Sequence, residues 1–457
     1  MAYRNFSTTQ LQEMDNAHHL HPFTDHAGLR GEGVRVVTGA EGAYIFDSEG
    51  KRILDGMAGL WCVNVGYGRE ELAKAAYEQM KELAYYNTFF KSTTAPAAML
   101  AKRIADLAPT NFNQVFFGAS GSESNDTSIR TVRYYWQLQG KPEKHIIISR
   151  DNAYHGSTIA ATSMGGMGAM HGQLGPMLPG FRHVMCPYDF ELKHKGESLE
   201  DFGIRAARAV EVAILQEGAE NVAAFVGEPI QGAGGVKIPP PTYWPEIQRI
   251  CKKYDILLML DEVITAFGRT GAWFAAESMS IEADMITVAK AITSGYQPLS
   301  AVLVSDRVAD VISKGGEYYH GYTYSGHPVT CAVALENIDI IEREGLIERV
   351  RDDTGPYLLE RLQEVIGDHP LVGEVRGMGL LAAIEIVKDR ETGERFPNEG
   401  SAAVCVRDHS IEAGMMMRAV GDTMILSPPL IWTRETIDEA AAICKVALDK
   451  AAADLLR

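Results

Sequence analysis

The sequence predicts an α/β protein whose main sheet is largely parallel and covered by helices on both faces. Three observations predict it. Short apolar runs recur through the middle of the chain, at residues 115–117, 146–148, 222–226, 256–260, 285–288 and 301–304. Segments with helical length and pattern separate several of them, such as 123–139 and 243–254. Strands of this kind, alternating with helices, belong to sheets buried on both sides. Finally, 457 residues are too many for one small core, so two lobes are expected, one of them large.

The elements follow in order. About the first thirty residues are polar and rich in His, and a Gly-rich stretch over 28–42 follows; together they read as an extended arm. Residues 43–60 carry short strand-like runs broken by turn residues, as in Ala43-Tyr44-Ile45-Phe46 before Asp47 and Gly50. The alternating α/β region then runs to a helix predicted over 326–343. Beyond about residue 339 helix and strand mix again, as in a smaller C-terminal domain. No internal repeat or low-complexity tract is visible, and no Pro/Ser-rich linker marks a boundary.

Composition narrows the function. The chain is 46% hydrophobic and 23% charged, an ordinary globular balance that leaves no room for extensive disorder. Its formal net charge of -17 disfavours nucleic acid and anionic membranes, which both select Lys and Arg. The six cysteines (Cys62, Cys186, Cys251, Cys331, Cys405, Cys444) include no CxxC pair, so neither a zinc ribbon nor a redox pair is suggested. Scattered reduced thiols suit a cytoplasmic protein. No apolar run follows the charges of residues 1–5, so no secretory signal is expected, and no stretch is apolar enough to span a bilayer.

Ligands of such sheets bind beyond the carboxyl ends of the strands, and three features sit there. The loop Gly118-Ala119-Ser120-Gly121-Ser122-Glu123 leads from a strand into a helix. Small residues let backbone N–H groups approach an anion, and a helix N-terminus adds positive potential. The same loop also reads as a plain helix start capped by Ser122. Asp261 follows the run 256–260 and points an acid into the crevice. Buried there, it needs a cation, a metal or a protonated heterocycle; otherwise it caps the next helix. Lys290 closes the run 285–288 after Ala289. Burial lowers a lysine's pKa, and the neutral amine is the nucleophile a Schiff base requires; the alternative is a lysine snorkelling to the surface. A phosphate cradle, a buried acid and a Schiff-base lysine are together the parts that pyridoxal 5'-phosphate (PLP) requires.

The motifs extend over nearly the whole chain. They are Asp55-Gly56-Met57-Ala58-Gly59-Leu60-Trp61, Ser120-Gly121-Ser122-Glu123, Tyr154-His155-Gly156-Ser157, Gly227-Glu228-Pro229-Ile230-Gln231-Gly232, Asp261-Glu262-Val263, Gly268-Arg269-Thr270-Gly271, Lys290, and Tyr322-Thr323-Tyr324-Ser325-Gly326-His327-Pro328. In these residues the sequence resembles the class III (omega) aminotransferases of the PLP-dependent, aspartate-aminotransferase-like fold. The resemblance implies a large domain with a mainly parallel seven-stranded sheet over 61–335 and a smaller α+β domain over 336–457. Residues 1–60 would supply an arm and part of the small domain.

The resemblance also assigns roles. Lys290 would carry PLP and shuttle the proton, Asp261 would pair with the pyridine nitrogen, and Ser120, Gly121 and Ser122 would bind the phosphate. Tyr154 and Val263 would pack on the two ring faces, with His155 and Glu228 in the same cofactor set. Thr323 would reach the phosphate of a neighbouring subunit, so the active unit would be a homodimer with shared sites; pairing of dimers into tetramers is left open.

Departures from the ornithine and γ-aminobutyrate branches point to the amine:pyruvate branch. Ala233 stands where those branches place a glutamate, Ile264 where they place a glutamine, and Ile425-Leu426-Ser427 precedes Pro428-Pro429 where they carry an arginine. Arg418 instead resembles the arginine that pairs with the carboxylate of pyruvate or alanine and swings out for amines without one; by itself it also reads as a surface salt-bridge residue. Phe23, Trp61, Phe90 and Tyr154 would line the pocket, with Ala233 leaving space. The cluster His18, His19, His21 is read as part of a folded arm near the pocket mouth; no Cys or acid is seen to complete a ligand set, and no metal is expected.

The expected activity is ping-pong transfer of an amino group from a primary amine, diamine or omega-amino acid to pyruvate, giving alanine and an aldehyde or ketone. A decarboxylase or aminomutase of the same family and a non-catalytic protein on the same fold are the alternatives.

Overall fold

The computed structural model describes residues 6–456. The expectation of no secretory signal at residues 1–5 therefore lies outside the described residues.

The arm is helical, which corrects the extended reading. Thr8–His18 forms a helix because Ser7 and Gln10 make a capping box: Ser7 Oγ accepts from Gln10 N at 3.2 Å, and Gln10 Oε1 accepts from Ser7 N at 2.9 Å. A second helix, His26–Glu32, is capped by Asp25. No residue of Thr8–His18 is buried, so these helices rest on local capping rather than on a core. Strands β1 (Val37–Glu41), β2 (Tyr44–Asp47) and β3 (Arg52–Asp55) then form an antiparallel meander. Asp47 Oδ1 takes the N–H groups of Glu49 and Lys51 and closes the β2–β3 turn, where Gly50 supplies a φ of +82°.

The central sheet contains β4 (Gln114–Gly118), β5 (Ile146–Arg150), β6 (Phe181–Val184), β7 (Val222–Gly227), β8 (Leu257–Asp261), β9 (Met285–Val288) and β10 (Ser300–Val304). Their spatial order is β4-β10-β9-β8-β7-β5-β6. Neighbours from β6 through β9 are parallel, and β10 runs antiparallel to both β9 and β4. Every residue of β5 and β7 through β10 is buried, which explains why they read as unbroken apolar runs. The predicted runs identified six of the seven strands. The missed one, β6, is an edge strand whose middle holds the exposed Arg182 and the half-buried His183.

Beyond the helix Pro328–Arg343 lies a second antiparallel sheet. It contains β11 (Val372–Gly377) and β12 (Ala382–Ile386), and further along the chain β13 (Met415–Met416), β14 (Arg418–Val420) and β15 (Thr423–Leu426) follow. The order is β11-β12-β15-β14, while β13 leaves it to pair in parallel with β3 through Met415 and Leu54. The N-terminal meander is thereby tied to the C-terminal region. Helices Gly355–Ile366 and Ser401–Ala413 pack on this sheet, and Arg434–Leu455 packs on both of them, burying an Ala-rich stripe through Ala440, Ala447 and Ala451. Among the described residues no helix is long and apolar enough to cross a membrane, and the six cysteines are unpaired.

Candidate active site

A cavity of about 440 Å3 opens at the carboxyl ends of the parallel strands. Nine of the expected site residues line it: Ser120, Gly121, Ser122, Tyr154, His155, Glu228, Asp261, Val263 and Lys290. They come from loops after five different strands, which the parallel topology delivers to one edge.

The loop after β4 starts the helix Gly121–Leu138. Its cap is Ser120, whose Oγ accepts from Glu123 N at 3.2 Å, which corrects the reading of Ser122 as the cap. Ser122 Oγ instead accepts from Ser157 N at 3.0 Å and fastens this loop to the one after β5. The first-turn N–H groups of Gly121 and Ser122 have no intrahelical acceptor and sit on the cavity wall. Two glycines permit the close fit. A Cβ on Gly121 would meet Val263 at 3.1 Å, and one on Gly156, already at a φ of +132°, would lie 2.5 Å from Ser122 Oγ.

Asp261 ends β8 and is buried. Its Oδ2 accepts from Asn125 Nδ2 and faces His155 Nδ1, both at 2.8 Å, and Oδ1 accepts from Val263 N at 3.1 Å. Burial alone would raise this carboxyl group, but the bonds from His155 and Asn125 more than offset it and the net shift is downward. Asn125 was missed in the sequence because a neutral amide inside a helix carries no periodic signal. Its position one turn past Gly121, on the helix leaving the small-residue loop, is the only hint.

Glu228 follows β7 and is also buried. Its two carboxylate oxygens accept from Tyr154 N at 3.2 Å and Gly232 N at 3.0 Å, so it joins the loop carrying Tyr154 to the loop carrying Ala233. Burial pushes it up to about 7. Arg376 holds the far side of that second loop through the carbonyls of Gly235 and Val236, at 2.5 and 2.9 Å.

Lys290 begins a short 3-10 turn, Lys290–Thr293, at a φ of +48°. Burial lowers its pKa, and the charge of Arg418 acts in the same direction. Phe23, Trp61 and Phe90 share the left-handed backbone, with φ of 50°, 64° and 54°. Non-glycine residues enter that region at a cost of about 1–2 kcal/mol each, and such strain clusters at functional sites.

The remaining expected residues are placed unevenly. Phe23 meets Tyr154 edge-on with ring centroids 6.4 Å apart, which puts the arm at the cavity mouth. Trp61 is 2% exposed and lies behind the wall, packed with Ile264 and Ile425. Ala233 is buried beside Gly232. Arg418 opens β14 opposite Ile425, half-buried, and its guanidinium is lowered by burial within electrostatic reach of Tyr154. Among the described residues it forms no ion pair, which corrects the surface salt-bridge reading. Phe90 is 90% exposed and Thr323 is exposed; neither lines the cavity of its own chain. The His cluster does include an acid, contrary to expectation: Asp15 bonds His19 at 3.0 Å and His21 at 2.7 Å, while His18 stays outside.

Residues 29–448 match the family described as aminotransferase class III. The chain is a class III aminotransferase. It is 53% identical over 99% of its length to a putrescine–pyruvate aminotransferase of Pseudomonas aeruginosa, 98% of which is covered. It is 42% identical, over 93% of its length and 92% of the relative's, to a diaminobutyrate–2-oxoglutarate transaminase of Halomonas elongata. Its fold superposes with a TM-score of 0.95 on a thermostable (S)-enantioselective omega-transaminase from Thermomicrobium roseum, at 44% identity and 98% and 99% coverage. The same TM-score of 0.95 is found for an omega-transaminase of Pseudomonas jessenii in complex with PMP, at 41% identity and 97% and 99% coverage.

Class III aminotransferases depend on PLP, and this aminotransferase's residues fit that group. The small-residue cradle at a helix N-terminus suits a phosphate. An acid held ionised at the other end suits a protonated ring nitrogen, and a lysine with a lowered pKa stands in the same cavity. Among the described residues, Nε2 of His155 and Oδ1 of Asn125 are buried there without a partner, as expected of groups that serve a bound molecule.

Proposed function

We propose that the enzyme transfers the amino group of a diamine or other primary amine to pyruvate by a ping-pong route, releasing an aldehyde or ketone and then alanine. The observation that carries this reading is Arg418. A half-buried guanidinium with no ion pair is costly unless an anion arrives, and a carboxylate matches its planar fork. Ile264 on the cavity wall and the buried Ala233 carry no charge, so the cavity would accept an uncharged amine substituent when Arg418 turns away. The name of the Pseudomonas aeruginosa relative makes putrescine the natural donor to test.

Bound PLP supplies an electron-withdrawing ring that makes the proton on the substrate carbon beside nitrogen acidic. Gly121, Ser122 and the Ser120 cap would hold its phosphate, Tyr154 and Val263 would flank its ring, and Asp261 would accept the ring nitrogen's proton as a hydrogen bond. The ε-amine of Lys290, whose pKa burial lowers, takes the proton from the substrate carbon and later returns it. Phe23 at the mouth and Trp61 behind Ile264 exclude water from that transfer. Glu228 fixes the spacing between Tyr154 and Ala233.

A homodimer belongs to the same reading. Tyr85 donates to the carbonyl of Thr323 at 2.7 Å, so Thr323 and the segment holding the exposed Tyr86 and Phe90 share one surface. An exposed aromatic patch of this kind supports an interface, across which Thr323 would meet the other subunit's phosphate.

The test is a scan of single half-reactions. The yellow holoenzyme is mixed separately with putrescine, β-alanine, taurine, 1-phenylethylamine, alanine and glutamate, and its visible absorbance is followed. Bleaching by alanine and by at least one of the amines, reversed by pyruvate, is expected. Bleaching by glutamate alone would overturn the assignment of Arg418 and Ala233.

A further inference from the structure

Away from the cavity, Cys405 and His409 lie one turn apart on the helix Ser401–Ala413, and Asp454 comes from the last turns of Arg434–Leu455. One ligand atom from each of the three lies within 4.8 Å of the others. His409 Nε2 is 2.8 Å from Asp454 Oδ2, and its Nδ1 is 3.3 Å from Glu412 Oε2. Metal-bound histidines almost always give their second ring N–H to a carboxylate, which sets the tautomer. Glu412 occupies that position beside Nδ1, which leaves Nε2, on the Asp454 side, to take a metal.

We propose that Cys405, His409 and Asp454 form a Zn2+ site in which water fills the fourth tetrahedral position. Thiolate and imidazole together select zinc over magnesium or calcium, and three protein ligands plus water is a stable zinc arrangement. On binding, the Cys405 thiol proton leaves to solvent and Sγ bonds the metal. The Nε2 hydrogen of His409 that is shared with Asp454 also leaves to solvent as a proton, Nε2 bonds the metal, Nδ1–H stays on Glu412, and no group changes oxidation state. Asp408 and Glu412 add negative charge around the cation, and the ammonium of Lys450 is held by Glu412 at 3.5 Å. The ligands sit on two helices packed along each other, so little chain must be ordered. The spacing Cys-x3-His on one helix, with its third ligand 45 residues further on, has no CxxC signature and was not visible in the sequence. None of the three residues lines the PLP cavity, so the ion would clip the C-terminal helix to its neighbour and leave turnover unchanged.

The test uses metal-stripped holoenzyme titrated with Co2+, read as difference absorbance, with Zn2+ competition and thermal melts in parallel. The expected result is one Co2+ per chain with sulfur-to-cobalt charge transfer and tetrahedral d–d bands. Both would be displaced by Zn2+, and Zn2+ would raise Tm. Cys405→Ser and His409→Ala should each remove the charge-transfer band or the tetrahedral spectrum at unchanged turnover. Asp15→Ala, which removes the sulfur-free Asp15, His19 and His21 cluster, should change neither. Absence of a thiolate band in the wild type, or its persistence in Cys405→Ser, would overturn the site and leave His409 as a hydrogen-bonding partner of Asp454 and Glu412.

Discussion

His155 Nδ1 lies 2.8 Å from Asp261 Oδ2, with both side chains buried. This pair sets the charge at the base of the cavity. Burial on its own would raise Asp261; with His155 and Asn125 bonded to it the carboxyl group is held below its ordinary range. A depressed carboxylate keeps its contribution at neutral pH and loses it as pH falls through the folded-state value. Removing the imidazole in His155→Phe lets burial dominate, so the acid limb of the kcat profile should move to higher pH. An unmoved limb in pH–rate measurements would show that His155 does not control Asp261.

Replacing the acid itself should cost more. Asp261→Asn keeps the shape and the bond from Asn125 but removes the charge that balances a ring cation. A loss of about 100- to 1000-fold in kcat is expected, typical of deleting one preorganised electrostatic partner. Stopped-flow rates of the amine half-reaction, at saturating PLP, measure it.

Arg418→Leu should separate the two halves of the cycle. A bond between charged groups is worth about 1.5–3 kcal/mol, so kcat/KM for pyruvate should fall by roughly 10- to 100-fold. The putrescine half-reaction, whose substrate has no carboxylate, should keep its rate. Equal losses in both halves would mean that Arg418 supports the pocket rather than the acceptor.

Glu228 makes folding stability depend on pH in the opposite sense from Asp261. Its folded value is raised from 4.5 to about 7. A raised carboxyl group contributes fully below its unfolded value, and the contribution is lost as pH rises through the folded one. Glu262, raised by burial to about 7, acts in the same window. Urea unfolding of the apoenzyme at about pH 5 and about pH 8 should show a smaller drop for Glu228→Gln than for wild type, by about half, because Glu262 remains.

Gly156→Ala tests the phosphate cradle without touching a polar group. The added methyl would lie 2.5 Å from Ser122 Oγ and 2.8 Å from Ser122 Cα, on a backbone at φ +132°. Displacing the Ser122 loop should weaken PLP retention, measured as cofactor lost on dialysis, by at least tenfold, with far-ultraviolet circular dichroism unchanged.

Burial decided what could be read from the sequence. β7 through β10 were visible because both of their faces are covered, and β6 was not because an edge strand tolerates Arg182. Asp261 and Lys290 stood out as charges closing apolar runs. Asn125 and Arg376 did not, since their roles are set by partners 136 and 140 or more residues away. The arm was misread because its helices are capped by Ser7 and Asp25 and carry no buried stripe to give a period. Phe90 and Thr323 lie away from the cavity of their own chain, so nothing within one chain tests their expected roles.

The most direct measurement concerns Lys290. Lys290→Ala, saturated with PLP and supplied with putrescine and pyruvate, is followed for alanine formed per active site. Loss of repeated turnover, with partial rescue of proton transfer by an added small primary amine, is predicted. Sustained turnover at the wild-type rate would contradict the assignment of Lys290 as the group that carries the proton.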